Sequence, residues 1–205
     1  EIAVNYGIKR NCDSVVILGD FMDFYGFSKF SKSRLTLEQF ETERELGQDM
    51  LQLLQNTFGY VVLKQGNHDI RREQFIMQEA IRIPEMRELA TYNDYLFFEG
   101  SNVQIVEAHR HITYGKLNGI HGHEYFGGGG LHIAHNRLIK TFDNTISAPS
   151  HRPESKILPN INGERFGSWA LGCMCQLNTA YAPKNNWSHG CAVTEKDRNG
   201  MFEVD

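Results

Sequence analysis

Three short stretches of this chain carry side chains able to hold a divalent metal and move a proton. They are "GDFMD" (19–23), "GNHD" (66–69) and "HGH" (121–123). Asp20 and Asp23 project from one loop, and Asn67, His68 and Asp69 follow one another directly. Carboxylate and amide oxygens, joined by imidazole nitrogens, suit hard to borderline divalent cations. A histidine near a carboxylate is also a ready general acid or base. Gly19 and Gly66 allow the sharp backbone turns such loops need. Neither a Ser-His-Asp arrangement nor a phosphate-cradling P-loop can be read in the chain.

Each stretch follows an apolar run. "DSVVILGD" (13–20) and "YVVLKQG" (60–66) read as strands buried on both faces, and "KLNGIHG" (116–122) as a third strand. In open α/β sheets, ligands gather at the carboxyl ends of strands. Spacing predicts helices over 1–10, 36–56, 71–81, 84–91 and about 131–141, with Thr36 and Gln39 as a capping box. Residues 102–108 and 116–122 read as strands joined by a short turn. "NTISA", "GSWALGCMCQL", "NWSHGCAVTE" and "MFEV" add further strands, the last two joined at "RNG". A chain that opens βαβ and ends in antiparallel strands predicts an α/β fold, with two sheets packed in one domain over 1–205.

The 205 residues carry 40% hydrophobic and 22% charged side chains, as a globular domain does. No apolar run is long enough for a membrane helix, and a formal net charge of -4 gives no global attraction to nucleic acid or anionic lipid. Four cysteines, Cys12, Cys173, Cys175 and Cys191, are too few and too uneven for a disulfide framework. The expected setting is reducing and cytoplasmic. Cys173 alternates with Cys175, and His189 with Cys191. Two paired strands would bring all four onto one face, where they could bind zinc; small buried cysteines are the simpler reading.

Taken together, "GDFMD", "GNHD" and "HGH" resemble the calcineurin-like metallophosphoesterase superfamily, and "GSWALGCMCQLNTAYAPKNNWSHGCAVTE" resembles its phage-type branch. The resemblance implies a two-layer β-sandwich flanked by helices. It also implies two divalent metal ions, Mn²⁺ first, with Fe, Zn or Ni as alternatives. Asp20 would bridge the metals, Asn67 and His121 would bind the second, and His151 the first. His68 would protonate the leaving oxygen, oriented by Asp23, while the metals support in-line attack of water on phosphorus. The substrate would be a phosphate mono- or diester. Lys29 and Arg71 are candidates for its phosphate, and Lys29, Lys32 and Arg34 among aromatics make nucleic acid one possible partner.

Two departures stand out. The family's Gly-His-x-His falls on "APSH", so that Pro149, which has no donor atom, occupies a ligand position. No Asp-x-His precedes Asp20, which suggests an N-terminally truncated domain lacking its first strand, with roughly 20–30 residues before Glu1 for that strand and its crossover. On that reading the fragment is inactive and the full-length chain is a phosphoesterase. The alternative is a degenerate fold serving as a non-catalytic binding or scaffold module.

Overall fold

The computed structural model describes residues 2–28, 34–90, 102–125, 130–179 and 182–205, with the backbone alone over 34–41. The chain divides into two compact units, Asn11–Ala108 on one side and Glu1–Arg10 with His109–Asp205 on the other. The architecture is mixed α/β.

In Asn11–Ala108, β1 (Ser14–Ile17), β2 (Tyr60–Lys64) and β3 (Val103–Val106) form a parallel sheet in that order. Parallel neighbours require a long crossover. Helix α2 (Arg34–Thr57) supplies it between β1 and β2; α3 (Arg71–Glu79) and a 3₁₀ segment (Pro84–Leu89) lie between β2 and β3. The central strand β2 is buried from Val61 through Lys64, which accounts for its unbroken apolar run. β1 is different: it lies at the sheet edge and Val16 is 43% exposed. The burial on both faces expected of "DSVVILGD" therefore does not hold, because an edge strand has a neighbour on one side only. Helix α2 packs on β2, with Leu51, Leu54, Val61 and Leu63 buried; each such side chain contributes about 1.5–3 kcal/mol. The helix already includes Arg34, so Thr36 lies within it and is not its N-cap.

Lys64 ends the apolar run as a charge that is 1% exposed. Its Nζ donates to the carbonyls of Gln65 (3.1 Å), Glu107 (3.3 Å) and Ala108 (2.7 Å). These bonds satisfy the buried ammonium and tie the end of β2 to the segment after β3.

The second unit holds a five-stranded mixed sheet. Its strands are β4 (Ile112–Tyr114), β5 (Leu117–Gly119), β6 (Thr145–Ser147), β7 (Glu154–Pro159) and β8 (Arg165–Ala170), in the order β4-β5-β6-β8-β7. β4 with β5 and β7 with β8 are antiparallel, while β6 is parallel to both β5 and β8. Helix α4 (Ile133–Thr141) packs on β6, β7 and β8, burying Ile133, Ala134 and Leu138. A hairpin of β9 (Thr194–Lys196) and β10 (Phe202–Val204) turns at the "RNG" expected of it. Helix α1 (Ile2–Lys9) is followed by Arg10, which pairs with Asp205 and Glu195.

Two strand expectations change. Residues 102–108 and 116–122 do not pair: β3 joins β2, and β5 pairs around Gly115 with β4, a strand the sequence reading missed. β7 was also unforeseen; it begins directly after Pro153. No helix among the described residues is long and apolar enough to cross a membrane.

Candidate functional site

In Asn11–Ala108 the loops after β1 and β2 are stitched together by one buried carboxylate. Asp69, 1% exposed, accepts from the backbone N–H groups of Asp20 (2.7 Å), Met22 (2.9 Å) and Gly66 (2.7 Å). In return, the His68 N–H donates to Asp20 Oδ1 at 2.9 Å. The chain makes this turn with Gly19 at φ +100° and Asp20 at φ +56°, the left-handed region that aspartate tolerates better than most residues.

The imidazole of His68 is fixed by the same loops. Its Nδ1 lies 2.8 Å from Asp23 Oδ1, and its Nε2 lies 3.8 Å from Asp20 Oδ2. With Nδ1–H donating to Asp23, Nε2 is the nitrogen left to exchange a proton. Arg71, at the start of α3, donates Nη1 to Asp23 Oδ1 and to the Asp23 carbonyl, both at 2.8 Å. Partial burial pushes the Asp23 carboxyl up, but the bond to His68 and the charges of His68 and Arg71 outweigh it, holding the group below its ordinary value. Glu43 of α2 accepts from the backbone N–H groups of Asp23 (2.6 Å) and Phe24 (2.9 Å). Burial raises its carboxyl, opposed by those two bonds and reinforced by the charges of Asp23 and Asp69. Asn67 is half-buried at the same turn. Asp20 and Asn67 thus offer a carboxylate and an amide oxygen at neighbouring strand ends, donors that fit a hard cation such as Mn²⁺ or Mg²⁺. Lys29, proposed for substrate, and Lys32 lie outside the described residues, and Arg34 is described by its backbone alone.

In the second unit His121 follows β5 and is 1% exposed. Glu124 caps its turn, accepting from the N–H groups of His121 (3.2 Å) and Gly122. The His121 and His123 rings stand 5.2 Å apart. Pro149 has a packing role here. A Cβ on Gly122, at φ +122°, would lie 2.6 Å from Pro149 Cγ and 2.6 Å from Arg137 Nη2. Arg137 is buried on α4 and donates to the Gly122 carbonyl. The proline ring therefore closes over a glycine that no other residue could replace without displacement.

His151 follows on a tight turn, its N–H donating to the Ala148 carbonyl at 3.3 Å and its φ at +56°. Its ring meets Trp187 edge-on, centroids 4.3 Å apart, and its Nδ1 lies 4.0 Å from Cys175 Sγ. His151, Cys173 and Cys175 place one ligand atom each within 4.8 Å of one another. The expected zinc set differs: His189 Nε2 is bonded to the Cys175 carbonyl at 2.9 Å, and Cys191 is not in the cluster. All four cysteines are free.

The chain is similar to a phage protein. It is 25% identical, over an alignment 206 positions long, to the Gene 54 protein of Mycobacterium phage L5, covering 90% of this chain and 77% of that protein. No family model and no solved structure matches it.

Sequence reasoning overlooked Glu43, Lys64, Glu124, Arg137 and Trp187, and gave Asp69 no role. Only Lys64 carried a signal, a charge inside an apolar strand. The others act through contacts made by folding.

Proposed function

We propose that the protein is a metal-dependent phosphoesterase, hydrolysing a phosphate mono- or diester. The observation that carries this reading is the His68–Asp23 pair at 2.8 Å, held beside Asp20 by the stitched loops of two parallel strands. Asp20 and Asn67 are the ligands that the motif resemblance gives this unit. The two-layer sandwich belongs to the same proposal and rests on the motif resemblance.

Bound divalent ions would supply electrophilic assistance and activate water. The chain's own contribution is acid catalysis. Asp23, its carboxyl held below the ordinary value, accepts from Nδ1–H and fixes the ring with Nε2 as the nitrogen that exchanges a proton. Nε2–H then passes its proton to the leaving oxygen as the P–O bond breaks, and water supplies the new P–O bond. Arg71 braces Asp23 through Nη1, and its remaining N–H groups are the candidates for a substrate phosphate.

The test is the full encoded protein, stripped by chelation and assayed with p-nitrophenyl phosphate and bis-p-nitrophenyl phosphate as Mn²⁺ is restored. Metal-dependent p-nitrophenolate release, lost in Asp20→Ala, supports the proposal. No metal-dependent release from either ester favours the scaffold alternative.

A further inference from the structure

The thiol cluster has features that the phosphoester reading does not use. Cys173 is buried, Cys175 is exposed and His151 is half-buried, so the cluster opens to solvent on one side. Its backbone is braced from several directions. The Ser188 N–H donates to the His151 carbonyl at 2.9 Å, and the Ser188 carbonyl accepts from the Cys173 N–H at 3.0 Å. One residue therefore links the segment bearing the imidazole to the segment bearing the thiols. The Gly190 N–H adds a bond to the Cys173 carbonyl at 3.4 Å. This close approach requires Gly172, where a Cβ would fall 2.4 Å from the Ser188 carbonyl oxygen. Trp187, one residue earlier, sets the plane of the imidazole.

We propose that His151, Cys173 and Cys175 form a Zn²⁺ site of two sulfurs and one nitrogen, with the fourth position open to solvent. Two thiolates and an imidazole select a borderline-soft ion over Mn²⁺ or Mg²⁺. At zinc bond lengths, tetrahedral donors stand roughly 3.5–3.8 Å apart. The observed separations, up to 4.8 Å, close by side-chain rotation of about an ångström. Three protein ligands and one solvent position is a complete zinc coordination. The metal would pin residue 151 to the 173–175 segment, adding a cross-link to the Ser188 bridge. The proposal goes beyond the phosphoester reading and shares only His151 with it, claiming that ring through its thiol-facing Nδ1.

Co²⁺ is the probe, titrated into the reduced full-length protein and then displaced by Zn²⁺. The expected result is one thiolate-bound equivalent, read as a near-ultraviolet thiolate-to-cobalt charge-transfer band that Zn²⁺ abolishes; Co²⁺ held by oxygen and nitrogen ligands elsewhere gives no such band. Cys175→Ser, at an exposed position, should weaken Co²⁺ binding at least about tenfold, and His151→Ala likewise. Cys191→Ser should leave the band intact. Cys173 is buried, so metal protection is read by alkylation at its exposed partner: Zn²⁺ should protect Cys175 from iodoacetamide while Cys191 reacts. Absence of the band in the wild type, its persistence in Cys175→Ser, or its loss in Cys191→Ser would overturn the proposal. None of these outcomes depends on ester hydrolysis. Mn²⁺-dependent activity that survives Cys175→Ser would separate the two metal readings.

Discussion

Asp69→Asn should destabilise the protein far more than the exchange of one oxygen for an NH₂ group suggests. The carboxylate accepts three backbone N–H groups at 2.7, 2.9 and 2.7 Å, with Oδ2 taking Asp20 and Gly66 and Oδ1 taking Met22. The amide oxygen of asparagine can occupy only one of those places. In its better orientation it keeps the Oδ2 pair and turns its NH₂ toward the Met22 N–H. One buried donor is then left unsatisfied, at a cost of about 1–3 kcal/mol. The two remaining bonds also lose their charge assistance, at about 1 kcal/mol each. The total is roughly 3–5 kcal/mol, a large share of the ~5–15 kcal/mol that holds a typical domain. Asp69→Ala strands all three donors and should cost more. Urea unfolding followed by circular dichroism reads the effect as a lower midpoint with an unchanged slope. At slopes of about 1–3 kcal/mol/M, the shift is on the order of 1–5 M. A loss below ~0.5 kcal/mol in Asp69→Asn would refute the stitching role, since that is the size of an ordinary surface change.

Further outcomes follow from the same contacts. Lys64→Met leaves the carbonyls of Gln65, Glu107 and Ala108 without their ammonium and should cost roughly 1–3 kcal/mol in urea unfolding, the loss being offset in part by removal of a buried charge. Gly122→Ala meets both an unfavourable φ and the Pro149 ring and should cost about 2–5 kcal/mol; Pro149→Ala in the same chain should recover part of it, read as a coupling in a double-mutant cycle. The lowered Asp23 carboxyl makes stability pH-dependent. Between its ordinary value, about 3.9, and its lower folded value, the unfolded chain binds more protons, so stability falls as pH falls. Unfolding free energies measured below about pH 4 should therefore decline more steeply in the wild type than in Asp23→Asn.

The parts of the fold that could be read from sequence were those fixed by local pattern. The apolar run of β2 announced a buried strand, and "GDFMD" and "GNHD" announced polar loops at strand ends because carboxylates, an amide and an imidazole stand next to glycines there. Pairing was harder to read. β3 lies near β5 along the chain, yet it joins β2 through a parallel, non-local contact that periodicity cannot reveal. β7 was hidden because Pro149 and Pro153 mark a turn immediately before it and Pro159 ends it. The same limit applied to the cysteines. Alternation suggested His189 and Cys191 as partners for Cys173 and Cys175. Folding instead turns His189 onto the Cys175 carbonyl and brings His151 to the thiols from a segment more than twenty residues earlier. Glu43 could not be foreseen for a similar reason: a glutamate on a helix is ordinarily solvated, and only the fold places it under the N–H groups of Asp23 and Phe24.

The central claim concerns one imidazole. In the full encoded protein, His68→Ala should be compared with the wild type for bound Mn²⁺, by elemental analysis, and for hydrolysis of bis-p-nitrophenyl phosphate. Nδ1 is engaged by Asp23; if Nε2 serves the leaving oxygen as proposed, the variant should keep its metal and lose about 10²–10⁴-fold in turnover. Collapse of the metal content would make His68 a ligand, and unchanged turnover would mean that the His68–Asp23 pair takes no part in the chemistry.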